Sequence, residues 1–114
     1  MTRKIAEFSS QINEWMLQKA KMNRNTVTVI TAGKSTEGRE LTGLRIAFQS
    51  NLPVVVIEAG IHAREWISPA TALWFIDQLL SVNATDVMKA YEWHVFPSVN
   101  PDGYAYTQKV LPFR

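Results

Sequence analysis

A histidine and a glutamate three residues apart are the pair in this chain with the clearest chemistry. His62 and Glu65 are separated by Ala63 and Arg64. A neutral imidazole and a carboxylate at this spacing can converge on one side of a tight turn or of a first helical turn. Both groups are ordinary zinc ligands, and a catalytic zinc takes three protein ligands and keeps one position for water. The pair therefore predicts two ligands of a zinc site.

The tetrapeptide by itself is a weak signal. With two histidines and seven glutamates in the chain, a His-x-x-Glu arises by chance at odds of about one in ten. Its surroundings are more specific. Residues 54–59 are predicted to form a buried strand, because they open with a continuous run of β-branched residues. Gly60 then permits a sharp turn, and a helical pattern follows, so the pair lies where ligands usually bind in open α/β sheets.

The remaining pattern predicts the elements around this segment. Apolar residues at three- and four-residue steps indicate a first helix over about 4–21, with Ile5, Phe8, Trp15 and Met16 on its core face. Strands over 26–31 and 40–48 around a glycine-containing turn indicate an antiparallel hairpin. Arg39 and Glu37 in that turn are interpreted as a solvated charge pair.

The second half of the chain is predicted to continue as helix and strand. A helix begins within 66–69, where Ser68 and Pro69 supply start chemistry, and runs to about residue 80 with Trp74 packed. A short helix over 86–91 is capped by Asp86, and a fourth strand covers about 93–99. Residues 100–103 are expected to form a turn and residues 104–107 to be extended.

Three motifs in order resemble one known family, the metallocarboxypeptidases of the pancreatic carboxypeptidase A and B type. The resemblance spans about residues 5–107, and its zinc-binding segment is the most specific part. The motifs are Gly33-Lys34-Ser35-Thr36-Glu37-Gly38-Arg39, Gly60-Ile61-His62-Ala63-Arg64-Glu65-Trp66-Ile67 and Val99-Asn100-Pro101-Asp102-Gly103-Tyr104.

The resemblance implies roles for individual residues. His62 and Glu65 match the first two ligands of a single Zn²⁺, and Arg64 matches an arginine that helps to bind the peptide substrate. The implied substrates are the C-termini of peptides or proteins. His94, the other histidine, does not match the family's later ligand and is interpreted as a structural or exposed strand residue.

The implied fold is α/β, a mixed sheet between helical layers. Residues 1–114 are expected to be the N-terminal part of the catalytic domain, truncated after about four strands. The family's third ligand and general base have no counterpart here, and the tail Lys109-Val110-Leu111-Pro112-Phe113-Arg114 departs from the usual continuation. The expected function is thus a zinc carboxypeptidase represented by an incomplete, inactive domain. The alternative is a truncated product that acts as a non-catalytic binding or interaction module.

Composition adds limits on partners and location. The net charge of +2 without a basic cluster argues against nucleic-acid and membrane-surface binding. Residues 1–20 lack a signal peptide, so secretion is expected from the family resemblance alone. Asn83-Ala84-Thr85 is a glycosylation sequon, which matters if the chain is exported. Zinc deacylases of amino-acid derivatives also use His-x-x-Glu, but the sequence that surrounds Arg64 favours the carboxypeptidases.

Overall fold

The computed structural model describes residues 2–110, with the side chains of residues 11–109. Eight elements follow one another: α1 (Thr2–Met22), β1 (Val27–Lys34), β2 (Glu40–Ile46), β3 (Val54–Glu58), α2 (Ile67–Leu79), α3 (Asp86–Lys89), β4 (Glu92–Phe96) and α4 (Pro101–Val110). The tail at 111–114 and the side chains of Ile5 and Phe8 lie outside the described residues. The predicted order of helices and strands is confirmed up to β4.

The four strands form one mixed sheet in the order β1-β2-β4-β3. β1 and β2 make the predicted antiparallel hairpin, with Val29 opposite Leu44. β2 pairs antiparallel with β4, whereas β3 pairs parallel with β4, and Ile57 lies opposite Val95. A mixed sheet with helices, the predicted fold class, is therefore confirmed. The chain places β4 between two strands that precede it in sequence.

The hydrophobic core lies between one sheet face and helices α1 and α2. Its fully buried members come from α1, β2, α2 and β4, and they include Met16, Leu44, Ile46, Ile76, Leu79 and Val95. Leu44 and Ile46 are two residues apart, so alternation along β2 turns Arg45 to the opposite face, where it is exposed. This core fixes the sheet against α2, whose first residue follows the candidate site.

Helix α2 is less covered than the sequence suggested. Trp74 was expected to pack but is 61% exposed, because it lies away from the buried Ala72, Ile76 and Leu79. Ile67, at the start of the helix, is 74% exposed. Within residues 2–110, no helix combines the length and the apolar character that crossing a bilayer requires.

The largest departure from the predicted elements concerns α4. Residues 104–107 were expected to be extended, but they lie in the helix Pro101–Val110. Asn100 stands before Pro101 and its side-chain oxygen accepts a hydrogen bond from the amide of Gly103 at 3.0 Å. Asn as the cap and Pro as the first helical residue are helix-start chemistry, which the sequence analysis interpreted as an isolated turn.

Two smaller corrections concern helix caps. α2 begins at Ile67, inside the predicted window, but Ser68 does not cap it. α3 is capped by Thr85, whose hydroxyl accepts a hydrogen bond from the amide of Met88 at 3.2 Å, rather than by Asp86. The cap of α3 lies one position before the residue predicted, whereas Trp66, the residue before α2, makes no side-chain cap hydrogen bond.

Candidate metal site

The candidate site is the loop of residues 60–66, which joins the C-terminal end of β3 to α2. The amide of Glu65 donates a hydrogen bond to the carbonyl of His62 at 3.0 Å, which closes a turn between them. Residues i and i+3 of such a turn have Cα atoms within about 7 Å. Both side chains are exposed. An imidazole and a carboxylate within one accessible turn fit the donor chemistry of zinc.

Two donors do not complete a zinc site. Among the described side chains, those of residues 11–109, no group of three or more His, Asp or Glu residues is placed to hold a metal ion. That His62 and Glu65 share one ion therefore stays a prediction.

His94, the other histidine, has a different role. On β4 its Nε2 lies 2.7 Å from a carboxylate oxygen of Glu92, which also accepts a 2.8 Å hydrogen bond from Arg45. Hydrogen bonds from Arg45 and His94, assisted by their charge, lower the pKa of Glu92 to about 2 against the opposing effect of burial. This ion-pair group on the sheet agrees with the structural role expected of His94.

Gly60 shapes the entry to the 60–66 loop. It has φ of +74°, and an added Cβ would lie 3.1 Å from the carbonyl oxygen of Pro97 and 3.2 Å from the Pro69 ring. Its amide donates to the hydroxyl of Ser68 at 2.9 Å. Any other residue at position 60 would have a strained backbone, and its side chain would be crowded by the residues that follow β4. Ser68 thus stabilises the loop instead of capping α2.

Asn100 attaches the loop to the first turn of α4. Its side-chain nitrogen donates to the carbonyl of Ile61 at 3.1 Å, while its oxygen accepts from the amide of Gly103. One carboxamide therefore caps α4 and holds the residue immediately before His62. A hydrogen bond of this kind contributes about 0.5–1.5 kcal/mol.

Thr107, one and a half turns into α4, holds the other end of the loop. This residue is 4% exposed, and its hydroxyl accepts a 2.8 Å hydrogen bond from the indole nitrogen of Trp66. The same oxygen lies 2.8 Å from the carbonyl of Tyr104 and 3.4 Å from that of Ala63. One hydroxyl has one proton, and the shorter contact to Tyr104 takes it. Thr107 therefore acts on the loop mainly through Trp66.

Close packing supports these hydrogen bonds. An added Cβ on Gly103 would lie 2.8 Å from the Cβ of Ala63 and 2.5 Å from the side-chain nitrogen of Asn100. The rings of Trp66 and Tyr104 meet edge to face, with centroids 6.5 Å apart. α4 can approach the loop this closely because position 103 has no side chain.

Asp102 connects the same turn of α4 to the hairpin turn (residues 35–39). Its carboxylate accepts hydrogen bonds from the Ser35 hydroxyl at 2.7 Å, the Glu37 amide at 3.0 Å and the Arg39 guanidinium at 2.9 Å. Burial raises the pKa of Asp102, but these bonds and the charge of Arg39 together lower it below its ordinary value. The Arg39–Glu37 contact at 2.7 Å exists as expected, but it is one arm of a larger network.

The comparisons with known proteins identify the family. The sequence model described as zinc carboxypeptidase matches residues 12–113. The chain belongs to this family. It is 41% identical over 103 residues to zinc carboxypeptidase A 1 of Anopheles gambiae, covering 88% of this chain and 24% of that protein. The chain therefore spans about a quarter of the length of that curated relative.

A solved family structure shares the fold. Bovine thrombin-activatable fibrinolysis inhibitor, in complex with tick carboxypeptidase inhibitor, superimposes with a TM-score of 0.81 at 33% identity, over 90% of this chain and 33% of that one. A third relative shows the family's range: the inactive metallocarboxypeptidase ECM14 of Uncinocarpus reesii is 34% identical over 111 residues, covering 86% of this chain and 19% of that protein. Zinc is thus the metal that the family implies, whereas activity differs among members.

Sequence reasoning placed His62, Arg64 and Glu65 in the loop after β3, and the structure has them there. It missed Asn100 and Thr107. The cap signal of Asn100-Pro101 was present, with Asp102 in the first turn where a carboxylate suits the helix dipole. The partners of Thr107 are 41 and 44 residues distant, and no local pattern identifies such a contact.

Proposed function

We propose that this chain supplies the zinc-binding segment of a metallocarboxypeptidase, with His62 and Glu65 as two of the zinc ligands. The observation that carries the proposal is their position in one exposed turn at the C-terminal end of β3, in a chain of this family. His62 and Glu65 would hold and orient the Zn²⁺, which would supply a water molecule of lowered pKa and polarise a peptide carbonyl.

Arg64 is proposed as a substrate-binding residue. It lies between the two ligands in the sequence of the loop, and its side chain is exposed. A guanidinium forms strong, often paired hydrogen bonds with carbonyl and carboxylate oxygens. The substrates proposed are the C-terminal residues of peptides and proteins. Family resemblance further supports an extracellular site of action.

The 114-residue chain alone is expected to be inactive. Catalytic zinc sites use three protein ligands, and the side chains described for residues 11–109 include no group of three placed to hold a metal ion. Losing one ligand weakens binding by several kcal/mol, against about 10–16 kcal/mol for a full structural set. A missing general base costs a further factor of about a hundred or more. A longer protein that adds a third ligand and a base to this segment should hydrolyse C-terminal residues.

The second candidate is a non-catalytic binding module. One relative is named an inactive metallocarboxypeptidase, so the fold occurs without turnover. The presence of both His62 and Glu65 favours the zinc assignment, because a module selected for binding alone has no need of either ligand. The two candidates differ in a direct measurement, the affinity of the chain for zinc.

Calorimetric titration with Zn²⁺ tests the ligand assignment. We expect weak binding with one ion per chain, lost in His62→Ala and in Glu65→Ala. His94→Gln is the matched control, since it removes the other histidine and keeps a donor towards Glu92, and it should bind zinc as the parent chain does. Equal affinity in all four proteins, or loss confined to His94→Gln, would contradict the assignment.

An activity assay tests the expectation about turnover. The purified 114-residue chain, with zinc added, should release no C-terminal residues from a set of peptides with apolar, basic and acidic ends. In a longer protein that contains this segment, His62→Ala should abolish release, whereas His94→Gln should not. Release by the 114-residue chain that a chelator stops would overturn the proposal that it lacks essential parts.

A further inference from the structure

The loop of residues 80–85, between α2 and α3, carries the sequon Asn83-Ala84-Thr85 in an accessible form. The side chain of Asn83 is exposed, and its neighbour Val82 is fully exposed, at 102%. The backbone amide of Asn83 donates a hydrogen bond to the hydroxyl of Ser81 at 3.1 Å, which closes a short turn. The position is in neither a strand nor a helix, and its exposed side chain is accessible to a bulky group.

The loop lies far from the candidate metal site. α2 runs from Ile67, next to the 60–66 loop, to Leu79. Its 13 residues separate the two ends by roughly 20 Å at 1.5 Å per residue. A large group on Asn83 therefore leaves the 60–66 loop open to a peptide.

Exposed apolar residues precede and follow the sequon in the sequence. Val82 and Val87 are 102% and 71% exposed, and they bracket Asn83 in the sequence. Exposed apolar neighbours favour association between molecules. A hydrophilic oligosaccharide on Asn83 would add polar surface next to Val82, so the exposure of this apolar residue is compatible with a modified chain.

We infer that Asn83 is a site of N-linked glycosylation, a conclusion that rests on the proposed export of the protein. The donor is an oligosaccharide on a lipid diphosphate, presented by a transferase of the secretory pathway. The Asn83 side-chain nitrogen forms a bond to C1 of the first sugar and loses a proton to a base. The bond from C1 to the diphosphate oxygen breaks, and the lipid diphosphate leaves with the electron pair.

Thr85 has two roles, which the test must separate. Its hydroxyl completes the sequon and also caps α3 through the amide of Met88. Thr85→Ser keeps both the sequon and the cap. Asn83→Gln removes the acceptor amide position without touching the cap, and is therefore the decisive variant.

The experiment expresses the full chain behind an added export signal in insect cells and examines the secreted and retained protein together. The parent chain and Thr85→Ser should migrate more slowly than the unmodified chain, and peptide N-glycosidase should reverse the shift and leave aspartate at position 83. Asn83→Gln should show no shift. An unshifted parent in both pools, or a shift retained by Asn83→Gln, would overturn the inference.

Zinc titration of the same preparations keeps this inference separate from the proposed function. A chain that binds zinc through His62 but carries no glycan overturns the glycosylation site alone. A glycosylated chain whose zinc affinity is unaffected by His62→Ala overturns the metal assignment alone.

Discussion

The first turns of α4 hold two regions of the molecule by different chemistry. Towards the 60–66 loop, Asn100 and Thr107 use neutral groups: a carboxamide bonded to a carbonyl, and a hydroxyl bonded to an indole. Towards the hairpin turn, Asp102 uses a carboxylate with three donors, one of them the charged Arg39. Neutral hydrogen bonds are insensitive to pH and salt, whereas charged contacts near a surface are sensitive to both.

The difference matters because of what each region is proposed to do. The 60–66 loop is proposed to hold metal ligands, and its own charged side chains, Arg64 and Glu65, set the charge there. Neutral supports add no charge to the loop and hold it alike at every pH and salt concentration. Breaking the two sets of contacts separately should therefore change different properties of the protein.

The largest effect is expected from Thr107→Val. Valine fills nearly the same volume but leaves the Trp66 indole N–H without its acceptor, at a cost of about 1–3 kcal/mol in the free energy of unfolding. Chemical denaturation measures this loss, and zinc affinity should fall as well because Trp66 ends the 60–66 loop. Thr107→Ser, which keeps the hydroxyl, should restore both. A valine variant that matches the serine variant in both measurements would show that the Trp66 contact does not hold the loop.

Asn100 allows the two functions of one side chain to be separated. Asn100→Ala should cost about 0.5–2 kcal/mol, the usual value for a lost N-cap. Asn100→Ser should recover most of that stability, because serine caps as well as asparagine, but it is too short to reach the carbonyl of Ile61. Both variants lose the bond to Ile61, so both should bind zinc more weakly than the parent chain. If Asn100→Ser also regained full zinc affinity, the bond to Ile61 would be irrelevant to the metal.

Acid should loosen the hairpin turn and leave the 60–66 loop in place. The pKa of Asp102 in the folded chain is lower than its ordinary value of 3.8. The contribution of Asp102 to stability is therefore complete above its ordinary pKa, and it is lost as the pH falls through the lower pKa of the folded chain. In an NMR titration below pH 4, the Glu37 amide signal should move as its acceptor is protonated. The Gly103 amide, bonded to Asn100, should not move.

Asp102→Asn is the control for that titration. It should weaken the acid dependence of unfolding without removing it. The pKa of Glu92 is lowered from 4.5 to about 2, so Glu92 also loses its contribution to stability as the pH falls over that range. A Gly103 signal that moves with the Glu37 signal would mean that both attachments of α4 respond as one unit.

The smallest effect is expected from Glu37→Gln. Glu37 is 64% exposed in its pair with Arg39, and exposed ion pairs contribute about 0.2–1 kcal/mol, less at high salt. The change in unfolding free energy should fall within about 0.5 kcal/mol and vanish in molar salt. A loss as large as that of Thr107→Val would place Glu37 inside the Asp102 network rather than at its edge.

Sequence patterns were sufficient for the parts of the fold that depend on local chemistry. A strand from Val54, the hairpin glycines and the position of His62 and Glu65 after β3 agree with the structure. The expected burial of that strand was wrong: β3 lies at the end of the sheet order, and Val54 and Val56 are 50% and 56% exposed. These features depend on periodicity and turn residues within a few positions. The resemblance to the carboxypeptidases was found in the same segments, and the family model confirms it.

The errors concern contacts between distant parts of the chain. Asp102 and Arg39 are 63 residues apart. Because no local pattern reveals a pair so distant in sequence, Arg39 was interpreted as a solvated charge. Trp74 was assigned to the core from its apolar neighbours, yet it lies on the face of α2 that the sheet does not cover. α4 was missed because Asn-Pro-Asp-Gly suits both a turn and a helix start, and the packing of Gly103 against Ala63 decides between them.

The strand order has a consequence for how the chain acquires its structure. Within residues 2–110, β3 pairs with one strand, β4, which begins 34 residues after β3 ends and inserts between β3 and β2. The β1–β2 hairpin can form early from local contacts, whereas parallel pairing across such a separation is slow because chain entropy is lost first. During synthesis, β3 and the 60–66 loop cannot form these contacts until residues 92–107 have left the ribosome. The segment that carries the candidate ligands is thus ordered only after residues well beyond it in the sequence have been made.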